Sequence, residues 1–417
     1  MNLLRREKGE LMLDGVALAE IAGRFGTPCY VYSRAAIEAA FREFDQGLAG
    51  VPHLVCYAVK ANSNLAILDA LARLGAGFDI VSGGELARVL AAGARVDRVI
   101  FSGVGKSEAE IRAALDADIR CFNVESEPEL ERLNAIAGAM GRRAPVSLRV
   151  NPDVDARTHP YISTGMAGNK FGIPHARALA VYRQAAELPH LSVFGIGCHI
   201  GSQILEVAPL DEALERILEL AAALESEGIH PRHLDLGGGF GIRYRDEVAP
   251  DVGAYCRRLA ARLAGRGFEV MLEPGRAIAG EAGVLLTRVE YLKLDKAKRF
   301  AVVDASMSEL IRPALYASWH DIVPVAEVAG RRAESYDVVG PVCESSDVLG
   351  TDRTLAILPG DFLAILATGA YGMTMASNYN TRVRPPEVLV DRGKAIEVRA
   401  RESIASLFSL ERRLPDA

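Results

Sequence analysis

The chain has 417 residues, 50% hydrophobic and 24% charged, with a formal net charge of −6 at pH 7. That length allows two domains or one large barrel with an appended module. The mild acidity, without a long basic block, argues against nucleic acid as a partner.

The N-terminus MNLLRREKGELML carries charges where a signal peptide needs an apolar core. No stretch of about 18 uninterrupted apolar residues occurs, so no membrane span is expected. The six cysteines, Cys29, Cys56, Cys121, Cys198, Cys256 and Cys343, are scattered and form no CxxC pair. That speaks against a zinc site or a disulfide framework and fits reduced thiols in the cytoplasm.

In chain order, the first thirty residues hold one short strand pattern, MLDGV, which could join either domain. Eight apolar, β-branched runs follow: LVCYAV (54–59), FDIV (78–81), RVIFS (98–102), CFNV (121–124), VSLRV (146–150), VFGIGCHI (193–200), HLDLG (233–237) and VMLEP (270–274). Between them lie NLAILDALARLG, GELARVLAAG, EAEIRAALDA and LDEALERILELAAALESEG, whose apolar residues recur at the helical period. Strand and helix in alternation imply a parallel sheet. Eight repeats over about 250 residues predict a (β/α)₈ barrel, since a doubly wound sheet would need fewer strands and a switch point. From Gly283 the texture turns to short strands such as RFAVVDA, YDVVGPVC, FLAILAT and AIEVRA. The expected division is a barrel over 30–280 and a β-rich domain, sandwich- or barrel-like, over 281–417, with residues 1–29 as a possible part of the second.

Barrel chemistry gathers at the C-terminal ends of the strands. Lys60 follows the first run, and Arg149 lies near the end of the fifth. The sixth ends in His199, followed by Ser202, and the seventh in Gly237, Gly238 and Gly239. The eighth ends in Glu273, Pro274, Gly275 and Arg276. Taken singly, each has a bland reading. Lys60 would be a surface lysine and His199 a satisfied core histidine. The glycine triplet would be a plain turn, and Glu273 with Arg276 a salt bridge at a strand end. GGGFGI is not GxGxxG and no Walker pattern occurs, so a single phosphate suits the glycines better than a dinucleotide. Together these residues suit a cofactor with an aldehyde, a ring nitrogen and a phosphate. An amine takes the aldehyde, a carboxylate keeps the ring nitrogen protonated, and an imidazole covers the ring face. That cofactor is pyridoxal 5′-phosphate (PLP). Partial desolvation and nearby cations would lower the pKa of such an amine.

The motifs YAVKAN, HIGSQ, LDLGGGFG, EPGR, CESSD and GAYGMTMASNYN, in this order from about Leu13 to Glu397, resemble the alanine-racemase-like, fold-type III PLP decarboxylases. Within them the resemblance is to the diaminopimelate decarboxylase family. It implies a PLP-bearing (β/α)₈ barrel, a C-terminal β domain and a homodimer with active sites at its interface. By this resemblance Lys60 would hold PLP covalently, His199 would stack on its ring and Glu273 would bind its nitrogen. Ser202, the glycines 237 to 239 and the Pro274–Gly275–Arg276 backbone would hold the phosphate. Asp79 and Arg149 resemble supporting residues near the cofactor. Arg276, Arg312 and Tyr316 would bind the far carboxylate of meso-diaminopimelate. Tyr371 would contact cofactor and substrate. Cys343 as proton donor and Glu344 as a substrate contact would serve the neighbouring subunit's site. On its own residue type, Cys343 reads as a small buried hydrophobe, Arg312 as a surface cation and Tyr371 as a packed aromatic. The implied reaction is decarboxylation of meso-2,6-diaminopimelate to L-lysine. The alternative is a related decarboxylase of carboxynorspermidine, arginine, ornithine or lysine. No metal site is expected.

Overall fold

The computed structural model describes residues 4–156, 170–295 and 298–415. The chain divides into two compact units. One comprises Glu38–Arg243 and Glu247–Ile278; the other comprises Met1–Ile37, Tyr244–Asp246 and Ala279–Ala417.

The first unit is a closed parallel barrel. Its strands are His53–Ala58, Gly77–Ile80, Val99–Phe101, Cys121–Val124, Ala144–Asn151, Leu191–Gly197, His233–Asp235 and Glu269–Leu272. They pair in that order, and the last closes on the first through Val270–His53, Met271–Leu54 and Leu272–Val55. All eight strands expected from the apolar runs are present. Gly77–Ile80 and Cys121–Val124 are buried at every position. Helices cover the outside of a parallel sheet, so its strands need apolar residues on both faces. A short strand not read from the sequence, Ile173–Pro174, adds to the edge of Ala144–Asn151.

Several helices of the barrel are started by a polar residue that caps them. Asn64 accepts the Ala66 N–H at 2.9 Å ahead of helix Leu65–Arg73. Ser82 accepts the Glu85 N–H at 3.2 Å ahead of Gly83–Ala91. Ser107 and Glu110 form a reciprocal capping box at Glu108–Ala117. Each such cap stabilises its helix by about 1 kcal/mol.

The lower barrel interior is apolar. Leu54, Cys56, Ile100, Cys121 and Met271 form one buried cluster, with Phe194 packed against it. His233 lies in the same interior, fully buried and edge-on to Phe194, with ring centroids 5.2 Å apart. Burial, with help from the Arg120 charge, lowers its pKa to about 3, so the ring is neutral. Gly195 is required beside it, because a Cβ there would lie 2.1 Å from the imidazole.

The second unit is built around the long strand Gly283–Leu294, which pairs antiparallel with Arg299–Val303, Phe362–Ile365 and Cys29–Ser33. Cys29–Ser33 also pairs with Glu387–Asp391. The N-terminal strands therefore belong to the β-rich unit. Leu11, Leu13, Val16 and Val31 share a buried core with Val284, Leu286 and Val388. Among the described residues no helix is long and apolar enough to cross a membrane.

Candidate active site

Side chains of a strand alternate between its two faces, so two residues beyond each floor position comes another inward one. Along these strands Ile100 leads to Ser102, Cys121 to Asn123, His233 to Asp235 and Met271 to Glu273. The chemistry switches from apolar to polar within that step. The Asn123 Nδ2 donates to Ser102 Oγ at 3.1 Å, Asp235 Oδ2 at 3.1 Å and Glu273 Oε1 at 3.2 Å. The two carboxyls, Asp235 and Glu273, thus share the Asn123 amide as a hydrogen-bond donor. Burial, and then the negative charges of Asp235 and Asp79, push the Glu273 carboxyl well above its ordinary range; Lys60 opposes this. Burial raises Asp235 as well.

Lys60 stands in the short 3₁₀ turn Val59–Ala61 directly after the first barrel strand. Its Nζ donates to Asp79 Oδ2 at 2.6 Å. Asp79 is fully buried, and its Oδ1 accepts no hydrogen bond among the described residues. The Lys60 side chain is 37% exposed. The amine is thus partly desolvated, and it is ion-paired with a buried carboxylate.

His199 follows the sixth strand. Its Nδ1 accepts the Gly238 N–H at 3.2 Å and lies 3.9 Å from Glu273 Oε2. Burial, then the Arg149 and Lys60 charges, hold its pKa well below the usual value, so the imidazole is neutral. Arg149 is fixed by Glu125, whose Oε1 accepts from its NH1 at 2.9 Å, and the guanidinium lies 4.9 Å from the Phe171 ring centroid. Glu125 also accepts the N–H groups of Gly103 at 3.2 Å and Gly172 at 2.9 Å.

The glycine triplet is held between strand ends. A Cβ on Gly238 would lie 2.1 Å from the Glu273 carbonyl oxygen, so no other residue fits. The Gly237 N–H donates to Asp235 Oδ1 at 3.0 Å and the Gly238 N–H to His199, so both are committed internally. Among the described residues the N–H groups of Gly239 and Gly275 donate to nothing. Arg276 NH2 donates to Ser202 Oγ at 3.0 Å. The Pro274 carbonyl accepts from Ala58 N–H at 3.1 Å and ties this turn to the first strand. Two uncommitted amides, a hydroxyl and a guanidinium make a site for one anion.

In the β-rich unit, Arg312 opens the short helix Arg312–Tyr316 and is buried rather than on the surface. Its guanidinium carbon lies 5.7 Å from the Tyr316 ring centroid and 5.2 Å from that of Tyr244. Cys343 is exposed, which removes its reading as a buried hydrophobe. Its N–H donates to Asn380 Oδ1 at 3.0 Å, while Glu344 Oε2 accepts the Tyr379 hydroxyl at 3.2 Å. Tyr371 adopts a left-handed backbone, φ 56°, just before Gly372 in GAYG. Sequence reasoning missed Ser102, Asn123, Asp235, Glu125 and Tyr244. The first three sit inside apolar runs, where the step of two along each strand is the signal that could have found them.

The barrel residues fit PLP. Lys60 supplies an amine, Glu273 a carboxyl for the ring nitrogen, His199 a neutral flat ring, and Gly239, Gly275, Ser202 and Arg276 the phosphate donors. Residues 34–280 match the pyridoxal-binding domain of the pyridoxal-dependent decarboxylases. The whole chain is 58% identical to a diaminopimelate decarboxylase of Pseudomonas aeruginosa, over 417 residues and 100% of both chains. It is 57% identical to one of Vibrio cholerae over 412 residues, 99% of each chain. The crystal structure of diaminopimelate decarboxylase from Helicobacter pylori complexed with L-lysine superposes with a TM-score of 0.91 at 42% identity, covering 94% of this chain and 98% of that one. The chain is therefore a PLP-dependent enzyme and belongs to the diaminopimelate decarboxylase family.

Proposed function

We propose that the chain decarboxylates meso-2,6-diaminopimelate to L-lysine and carbon dioxide, the last step of lysine biosynthesis. The observation that carries this reading is the full-length match to diaminopimelate decarboxylases at 57–58% identity. When bound, PLP supplies an electron sink for the pair released as the Cα–carboxylate bond breaks. The residues have these parts. Lys60 Nζ attaches the cofactor covalently, with Asp79 orienting that amine. Glu273 holds the ring-nitrogen proton. His199, kept neutral, packs on the ring without adding a charge, and Arg149 supports this region. Ser202, Gly237, Gly238, Gly239, Pro274, Gly275 and Arg276 shape the phosphate site; the uncommitted Gly239 and Gly275 amides are the direct donors.

For the substrate, Arg276, Arg312 and Tyr316 bind the far carboxylate, and Tyr371 touches cofactor and substrate. A guanidinium reads a carboxylate as a bidentate fork, and a buried one disfavours substrates that leave it unpaired. Cys343 Sγ returns a proton to the carbon that loses carbon dioxide, beside Glu344. The chain works as a cytoplasmic homodimer in which Cys343 and Glu344 serve the site of the other copy.

The test is product analysis with PLP and a panel of meso-diaminopimelate, arginine, ornithine, lysine and carboxynorspermidine. Selective release of carbon dioxide and L-lysine from diaminopimelate is expected. Preference for any other amine would overturn the substrate.

A further inference from the structure

The chain segment that leaves the barrel's glycine turn does something its sequence did not announce. Three of its residues, Tyr244–Asp246, belong to the β-rich unit. Tyr244 is buried, as is Arg312, whose guanidinium carbon stands 5.2 Å from the Tyr244 ring centroid. The other edge of that ring is fixed. His320, fully buried, meets it edge-on with centroids 5.1 Å apart, and His320 Nδ1 is itself hydrogen-bonded to the Leu366 carbonyl at 2.8 Å. The next residue repeats the device. The Arg245 guanidinium lies 4.2 Å from the Trp319 ring centroid and the Arg353 guanidinium 3.1 Å from it. The Trp319 Nε1 donates to Asp321 Oδ1 at 2.7 Å, which sets the indole plane. Trp319, the only tryptophan of the chain, and His320 sit just after the Arg312–Tyr316 helix. Two consecutive loop residues therefore grip that helix and its flank through ring–cation contacts.

We propose that Tyr244 is a positioning residue for substrate specificity: its ring face sets the Arg312 guanidinium for the far carboxylate of the substrate. The inference rests on the functional reading above. Arg312 has Tyr244 and Tyr316 near its cation and Ser318 Oγ at 3.3 Å from NH2. Two aromatic faces and one hydroxyl orient the cation. A ring face attracts a cation through its quadrupole, so the effect follows ring electron density rather than shape.

The experiment measures steady-state kinetics with meso-diaminopimelate for the holoenzyme and its Tyr244→Phe and Tyr244→Leu variants. Phe is expected to keep KM within about twofold, whereas Leu raises KM about 5- to 30-fold with kcat nearly unchanged. Inhibition by L-lysine, which retains the far carboxylate, weakens in parallel in Leu. Inhibition by 1,5-diaminopentane, which lacks it, does not. A second series guards against a folding defect in Leu: phenylalanine bearing one to four ring fluorines at position 244 keeps the shape while draining the ring face, and KM should climb with each fluorine. A flat fluorine series, or a fall in kcat as large as the rise in KM in Leu, overturns the proposal. Absence of any wild-type turnover would overturn the functional reading and this inference with it; normal wild-type turnover with a flat series overturns this inference alone.

Discussion

Two residues separate the floor of the barrel from its mouth along four of its strands: Ile100 and Ser102, Cys121 and Asn123, His233 and Asp235, Met271 and Glu273. Below, the neighbours are thiol, thioether and aliphatic groups. Above, three carboxyl groups, Asp79, Asp235 and Glu273, crowd around one amide and one amine. The two histidines make the contrast sharper. His233 in the floor and His199 at the mouth are both held neutral by burial, the first with Arg120 adding to it and the second with Arg149 and Lys60. In the floor neutrality only permits packing. At the mouth it leaves a flat, uncharged ring beside the amine. One strand thus does two jobs, and the polar layer is tolerable because each carboxyl has a hydrogen-bonded neighbour.

That contrast can be broken in stages. Glu273→Ala has the largest expected effect: kcat falls by about 10²–10³-fold, as when a preorganised electrostatic partner is removed. The unfolding midpoint holds steady or rises, because a carboxyl whose charge burial opposes is gone. A kcat within a few-fold of wild type would deny Glu273 its part. Met271→Ala, two residues below, should do the reverse. Urea unfolding should show a loss of about 2–5 kcal/mol, while kcat per folded holoenzyme stays within about twofold. A comparable loss of turnover would mean that floor and mouth are not separable.

A third test is a pH dependence, spread gradually over several pH units. In the folded chain the pKa of His233 is depressed from the usual 6.5 to about 3. Its neutral form therefore supports the fold above pH 6.5. That support is lost as pH falls toward 3, because the unfolded chain takes up a proton that the folded one refuses. The stability of wild type minus that of His233→Gln should decline by about 1.4 kcal/mol for each pH unit across that window. A difference independent of pH would place a charge on the buried ring.

Much of this was legible in the sequence, for physical reasons. The eight strands announced themselves because buried parallel strands are short apolar runs and the helices between them have their own period. Lys60, His199, Glu273 and the glycines were legible because they interrupt those runs at one end. Asn123 and Asp235 were not, since a strand buried on both faces conceals which positions point inward. Nor was the place of Cys29–Ser33 readable: its partner strand begins at Gly283, and no local pattern encodes so distant a pairing. Tyr244 was hidden differently, in a glycine-rich turn read only for phosphate. Asp79 was readable by family likeness alone, and its 2.6 Å contact with Lys60 gives the physical reason for that likeness.

The most direct test of the central claim, that the amine, the ring-nitrogen carboxyl and the anion site converge at this barrel mouth, is covalent mapping. The purified chain is incubated with PLP, reduced with borohydride and mapped by mass spectrometry. A pyridoxyl group on Lys60, lost from that peptide in Lys60→Ala, is the predicted result. Labelling confined to other lysines, or none at all, would contradict the account.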